Sequence, residues 1–196
     1  PGANHACGEA EGESVRRALD RASFLLLQLE VSISLSLNVA QEAAALGKTV
    51  MLDPGPARTL PQEIYSCCHI ITPNETEAQA LVGFPVVDLA SAARAANELV
   101  GRGARVAIIK LGDQGSYYAT REGEQYVPPI QVEAVDSVAA GDAFNGSLAA
   151  SLAEGEELDR AMRVATAAGA LAVTKFGALD SMPLKADVEK LLLAHG

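Results

Sequence analysis

Phe24-Leu25-Leu26-Leu27-Gln28-Leu29 is an almost unbroken apolar run of strand length. A strand with one wet face alternates apolar and polar residues. This run does not, so helices are expected over both of its faces, as in a parallel α/β sheet. Working outward, residues 13–22 (ESVRRALDRA) predict an amphipathic helix with Val15, Ala18 and Leu19 on one side. After the run, residues 37–46 predict a helix closed by Gly47. Further strands are expected at residues 49–52, 69–72 and 105–110. Between them come a short helical turn at 61–66, a helix starting at 73–77 with Asn74 as its cap, and a helix from Asp88 to about Arg102. Residues 115–119 and 125–127 predict an antiparallel hairpin around Glu122-Gly123. A β-like run follows at 131–135, then helices ending near Ala153, spanning 158–174, and spanning 185–194.

This alternation predicts a single α/β domain over residues 1–196. The expected form is a three-layer αβα, doubly wound, mostly parallel sheet with right-handed crossovers and a small antiparallel hairpin. Ligands of such sheets sit beyond the C-terminal ends of the strands. Glu30, Asp53, Asn74 and Gly112 all fall at such ends.

Bulk properties narrow the partners. The chain has 196 residues, of which 49% are hydrophobic and 20% charged, as expected of one globular core. Its net charge is −10 and it has no Lys/Arg cluster, which argues against nucleic acid or an acidic membrane surface as a partner. Cys7, Cys67 and Cys68 are odd in number and two are adjacent, so no disulfide framework is expected and a cytoplasmic setting is the simpler reading. Cys67-Cys68-His69 is too tight a cluster for a usual zinc site. No apolar run reaches membrane-spanning length. The opening Pro1-Gly2-Ala3-Asn4 lacks Met and reads as cut from a longer chain.

The chemistry concentrates in Asp136-Ser137-Val138-Ala139-Ala140-Gly141-Asp142-Ala143-Phe144-Asn145-Gly146. Small residues here open a helix, whose first amides have no intrahelical partner and carry the positive end of its dipole. Ala139, Ala140 and Gly141 leave those amides open to a phosphate or a transferring phosphoryl group. Asp142 can take a proton from a hydroxyl attacking that phosphorus. Taken alone, Asp142 reads first as a helix cap, a position that Asp favours.

Three other stretches matter. In Thr72-Pro73-Asn74-Glu75-Thr76-Glu77-Ala78, Asn74 and Glu77 share a helix face and can hold a hydrated Mg²⁺, or simply form a capping box. Lys110-Leu111-Gly112-Asp113-Gln114-Gly115-Ser116 places two glycines after a strand. The tail Ala172-Val173-Thr174-Lys175-Phe176-Gly177-Ala178-Leu179-Asp180-Ser181 reads on its own as a helix end with a Gly cap.

Together these stretches resemble the ribokinase-like carbohydrate kinase family over essentially the whole chain. DSVAAGDAFNG matches its D-T-x-(G/A)-A-G-D-x-F-x-G signature with Ser137 in the Thr place, and PNETEA matches its N-x-x-E motif. KLGDQGS matches its (T/K)-x-G-x-x-G nucleotide loop, although Asp113-Gln114 stand where a basic residue is common. The resemblance implies ATP-dependent sugar phosphorylation, with ribose favoured by the DSVAAGD and PNETEA forms. Another sugar, a nucleoside, or a non-catalytic nucleotide-binding fragment are the alternatives. It assigns Asp142 as base and Ala139, Ala140 and Gly141 as the anion site. Asn74, Lys110, Leu111, Gly112, Asp113, Gln114, Gly115, Gly141 and Thr166 fall at the nucleotide, and Asn74 and Glu77 at Mg²⁺. Glu30 and Asp142 fall at the sugar. The Asp136 carboxylate, the Val138, Ala172, Lys175 and Gly177 carbonyls and Ser181 would surround K⁺, with Asp180 in place of the family's usual Pro. The family's N-terminal G-G-K-G-x-N sugar loop, and the lid through which its members usually pair as homodimers, have no counterpart in this sequence.

Overall fold

The computed structural model describes residues 2–195, with His5 described by its backbone alone. Contacts divide the chain into two compact units, Pro1–Leu111 with Tyr117–Tyr126, and Gly112–Ser116 with Val127–Gly196.

The first unit carries a six-stranded sheet in the order β1-β2-β3-β4-β5-β6. Its strands are β1 (Phe24–Leu27), β2 (Thr49–Leu52), β3 (Ile70–Ile71), β4 (Val106–Lys110), β5 (Ser116–Thr120) and β6 (Glu124–Val127). β1 to β4 are parallel, with Leu25 opposite Val50, Leu52 opposite Ile71, and Ile71 opposite Ala107. The sheet is mostly parallel with antiparallel strands and flanking helices, the α/β architecture that the alternation of strand and helix predicts. The turn joining β5 to β6 is held by Thr120, whose N–H donates to the Gly123 carbonyl at 2.8 Å.

Its helices are α1 (Glu9–Leu19), α2 (Ile33–Ala45), α3 (Gln62–Cys67), α4 (Glu75–Val82) and α5 (Leu89–Arg102). Strand order follows chain order, and right-handed crossovers between successive parallel strands place the connecting helices on one face. There Val50, Leu52, Ile71 and Ile109 join Ala40, Ala43, Ala92, Ala96 and Leu99 in a single buried cluster. Alanines on the helix side let the backbones approach the sheet, which is how a chain with so few aromatics fills its core.

Local capping sets the helix ends. α1 begins earlier than the apolar spacing predicts, because the Glu11 carboxylate accepts the Gly8 N–H at 2.7 Å and supplies a start. α2 begins at Ile33 instead of residue 37, because the Ser32 hydroxyl accepts the Leu35 N–H at 3.3 Å. α5 starts where expected, on Asp88, which accepts from the Ser91 N–H at 2.8 Å.

The second unit holds α6 (Ala140–Ala153), α7 (Leu158–Ala172) and α8 (Lys185–Ala194). Gly169 on α7 faces the first turn of α6: a Cβ there would lie 3.5 Å from the Ala140 carbonyl oxygen and 3.7 Å from Phe144 Cβ. Ala167 and Ala168 pack with Val188 and Leu192 of α8. The expected β-run at 131–135 does not form a strand. The Val135 and Asp136 N–H groups both converge on the Val173 carbonyl, at 2.7 and 3.1 Å, which ties a loop and does not propagate a ladder.

Candidate functional site

Each unit carries one polar constellation. In the second unit it is built on the start of α6. Ala139, not Asp142, is the residue before the helix, and it holds the left-handed conformation at φ 62° and ψ 8°. Asp142 is therefore the third helical residue, which corrects its reading as the cap. A left-handed alanine costs about 1–2 kcal/mol, so something must hold it. The adjoining loop is fixed by Asp136, which accepts the Val138 N–H at 3.0 Å and the Gly177 N–H at 3.1 Å. Those amides hold the Asp136 carboxyl below the usual carboxylate range. Gly141 is half-buried and lies at the second helical position, where the helix itself offers its N–H no acceptor. Asp142 is exposed.

The expected cation residues meet in part. Asp136, Val138 and Gly177 are brought together by the bonds just described. The Ala172 carbonyl accepts the Lys175 N–H at 3.3 Å, and the buried Ser181 hydroxyl donates to the Ala178 carbonyl at 2.8 Å. Thr166 lies on α7 with its hydroxyl oxygen sealed from solvent and without a hydrogen-bond partner among the described residues. A ligand contact through that oxygen needs the side chain to turn.

The two glycines of the Lys110–Ser116 stretch separate in role. Gly112, at φ 55°, has open space where a side chain would stand. Gly115, at φ 87°, has none: a Cβ would lie 2.3 Å from the Val127 carbonyl oxygen and 2.9 Å from Pro129 N. Gly115 is thus demanded by the chain's own packing, whereas the space beside Gly112 is open. Asp113 and Gln114 are exposed, and Leu111 is buried.

In the first unit the constellation lies at the C-terminal ends of β2, β3 and β4. Asn74 caps α4, its side-chain oxygen accepting the Glu77 N–H at 2.9 Å, while Glu77 Oε2 accepts the Asn74 N–H at 2.9 Å. The capping box that the spacing allowed is present. The other Glu77 oxygen, Oε1, lies 2.9 Å from where a Cβ on Gly55 would stand, so that glycine admits the carboxylate against the backbone. Partial burial raises the Glu77 pKa, and neighbouring Asp53 adds to the rise against the Asn74 hydrogen bonds and Lys110. Lys110 Nζ meets Asp53 Oδ2 at 2.9 Å. Asp53 was legible only as a residue at a strand end; its partner is 57 positions away in sequence. Glu30 stands apart after β1, accepting from the Asn4 amide at 3.2 Å. Among the described residues no three His, Cys, Asp or Glu side chains are grouped to hold a metal directly.

The cysteines take no part. All three are free, and burial pushes the Cys68 thiol up to about 12. His69 accepts the Val50 N–H through Nδ1 at 3.2 Å. No helix among the described residues is long and apolar enough to cross a membrane.

Comparison with known proteins gives this arrangement its context. Residues 5–185 match the profile of the pfkB family carbohydrate kinases. The chain belongs to that family. Ribokinase of Staphylococcus aureus (strain COL) is 36% identical over 191 residues, covering 97% of this chain and 63% of the relative. Deoxyribokinase of Salmonella typhi is 33% identical over 183 residues, covering 93% and 60%. Among solved structures, Arabidopsis thaliana ribokinase complexed with ribose and ATP aligns with a TM-score of 0.85 and 31% identity, over 94% of this chain and 59% of that one. This pfkB-family chain therefore spans less than two thirds of the length of these relatives. Its Asp136–Gly146 and Asn74–Glu77 stretches lie within the matched residues.

Proposed function

We propose that the protein transfers the γ-phosphoryl group of ATP to a sugar hydroxyl, with ribose as the favoured sugar. The observation that carries this reading is the left-handed Ala139 at the head of α6, held beside the Asp136 loop and followed by Gly141 and Asp142. A helix start of this kind, lined by small residues, stabilises negative charge through fixed amides that need no reorganisation. Asp142, exposed on the same first turn, accepts the proton of the attacking hydroxyl. Membership of a carbohydrate kinase family and likeness to a ribokinase complexed with ribose and ATP support the substrates.

Asn74, Lys110 and the residue 111–115 loop are assigned to the nucleotide, Gly112 by the open space at its Cα and its neighbours by backbone contact. Thr166 is assigned to the base and Glu30 to the sugar. Asn74 and Glu77 suit a hydrated Mg²⁺ held through water, since their capping bonds leave acceptor capacity on the Asn74 amide oxygen and the Glu77 carboxylate. When bound, that ion supplies charge neutralisation at the ATP phosphates. For K⁺, the Asp136 carboxylate keeps lone pairs beyond its two amide bonds, and the Val138, Ala172, Lys175 and Gly177 carbonyls and Ser181 offer the weakly charged oxygen donors such an ion prefers.

The test is ADP release by the protein at its full encoded length, with Mg·ATP and either ribose, 2-deoxyribose or fructose. The reading expects ribose to give the highest kcat/KM. A higher value with 2-deoxyribose would move the assignment to the sugar of the Salmonella relative. No release with any sugar would overturn the kinase reading.

A further inference from the structure

Asp53 has no place in the site assigned so far, yet it holds a nucleotide-site lysine. It follows β2, and Lys110 ends β4, with β3 lying between them in the sheet. Adjacent strands are about 4.8 Å apart, so the pair bridges roughly 10 Å of sheet across the end of β3. It does so at 2.9 Å, with the two side chains only 16% and 14% exposed. The backbone is fixed at the same point: the Lys110 N–H donates to the Pro73 carbonyl at 2.8 Å, next to the cap of α4.

An ion pair largely withdrawn from water contributes little to stability compared with apolar packing of the same volume, so its presence here calls for another use. An ammonium has three donors, and Asp53 is a bonded acceptor for one of them. The pair stands at the C-terminal ends of parallel strands, where such sheets bind ligands. An unrestrained lysine is a flexible four-carbon stem that must be ordered before it can meet a phosphate oxygen. We infer that Asp53 is a positioning residue, which holds the Lys110 ammonium in place to receive a phosphate oxygen of the nucleotide. The inference rests on the nucleotide reading above and adds to it the residue through which Lys110 acts.

The test is a double-mutant cycle read by ATP binding in calorimetry, with the ¹⁵Nζ signal of Lys110 followed in parallel by NMR. Lys110→Met is expected to weaken ATP binding by about tenfold or more when Asp53 is present, the scale of one ordered charged contact. In an Asp53→Ala background the same change is expected to cost under about threefold, because an untethered lysine contributes little. Asp53→Asn, which still offers an acceptor, should keep most of the Lys110 contribution. The Lys110 signal of the unaltered chain should shift on adding ATP, a readout that does not depend on the variants folding. An equal cost of Lys110→Met in both backgrounds, a larger cost without Asp53, or a Lys110 signal indifferent to bound ATP would each overturn the inference and leave the nucleotide site standing. Failure of ATP to bind the unaltered chain would instead overturn the nucleotide reading itself, and this inference with it.

Discussion

Replacing Gly115 by Ala should damage the protein far more than replacing Gly112 by Ala, three residues earlier in the same loop. Both glycines have positive φ, so an alanine at either pays the left-handed penalty of about 1–2 kcal/mol. At Gly112 nothing lies within 4 Å of the new methyl, and the cost stops there. At Gly115 the methyl would stand 2.3 Å from the Val127 carbonyl oxygen, 2.9 Å from Pro129 N and 3.0 Å from Pro129 Cδ. A carbon–oxygen contact is normally no closer than about 3.3 Å, so roughly an ångström of backbone movement is needed. Overpacking of this kind typically adds about 1–3 kcal/mol. The expected totals are about 1–2 kcal/mol for Gly112→Ala and about 2–5 kcal/mol for Gly115→Ala. At about 2–4 °C per kcal/mol for a chain of this size, the melting temperatures should fall by about 2–8 °C and 4–20 °C respectively. Urea unfolding with a fluorescence probe measures both. The nucleotide assay should reverse the order of interest: a bulkier side chain at Gly112, such as Val, should weaken ATP binding because it fills the open space. Equal destabilisation by the two alanines, or a greater loss at Gly112, would refute the argument that Gly115 serves the chain's packing and Gly112 the ligand.

Other consequences can be checked alongside. Asn74→Ala should cost about 0.5–2 kcal/mol by removing the acceptor for the Glu77 N–H, measured by urea unfolding; no loss would mean the cap is not formed. The Asp136 pKa is depressed, so the loop tie it makes is fully present above the ordinary carboxylate value and is lost as pH falls through the depressed one. Protection of the Val138 and Gly177 amides, relative to the unstructured rate at the same pH, should therefore be full at neutral pH and fall only in acid below that ordinary value; no protection at neutral pH would remove the tie. At constant ionic strength the full-length protein should be more active in K⁺ than in Na⁺, and equal rates would remove the cation site assigned around Asp136.

The sheet could be read from the sequence because its strands are short apolar runs bounded by Gly, Pro and Asp; β2 and β4 are buried along most of their length, whereas β1, expected to be covered on both faces, leaves Leu26 46% exposed. Helix starts were less legible. Apolar spacing marks the face a helix buries, whereas Ser32 and Glu11 decide where α2 and α1 begin, and those are single hydrogen bonds. The run 131–135 has strand composition, but among the described residues it joins no strand; its Val135 N–H bonds the Val173 carbonyl instead. In the candidate site, the local motifs carried their own geometry: Asn74 and Glu77 cap each other as their spacing allows, and Asp136 reaches Val138. The Asp53–Lys110 pair has no local signal, because the sheet order alone brings those residues together. The split between Gly112 and Gly115 was equally hidden, since both sit in one motif and only the path of Val127–Pro129 distinguishes them.

Asp142 is proposed above as the proton acceptor of a sugar kinase. Ribose-dependent ADP release by the full-length protein and its Asp142→Asn variant tests it most directly. General-base assistance contributes about 10²–10⁴-fold, equivalent to roughly 3–5 kcal/mol at the transition state. Asparagine keeps the size of the side chain, and Ala139 rather than Asp142 precedes the helix, so the fold should survive the change. kcat should fall by that factor with Mg·ATP affinity nearly unchanged. Undiminished turnover in the Asp142→Asn variant would contradict it.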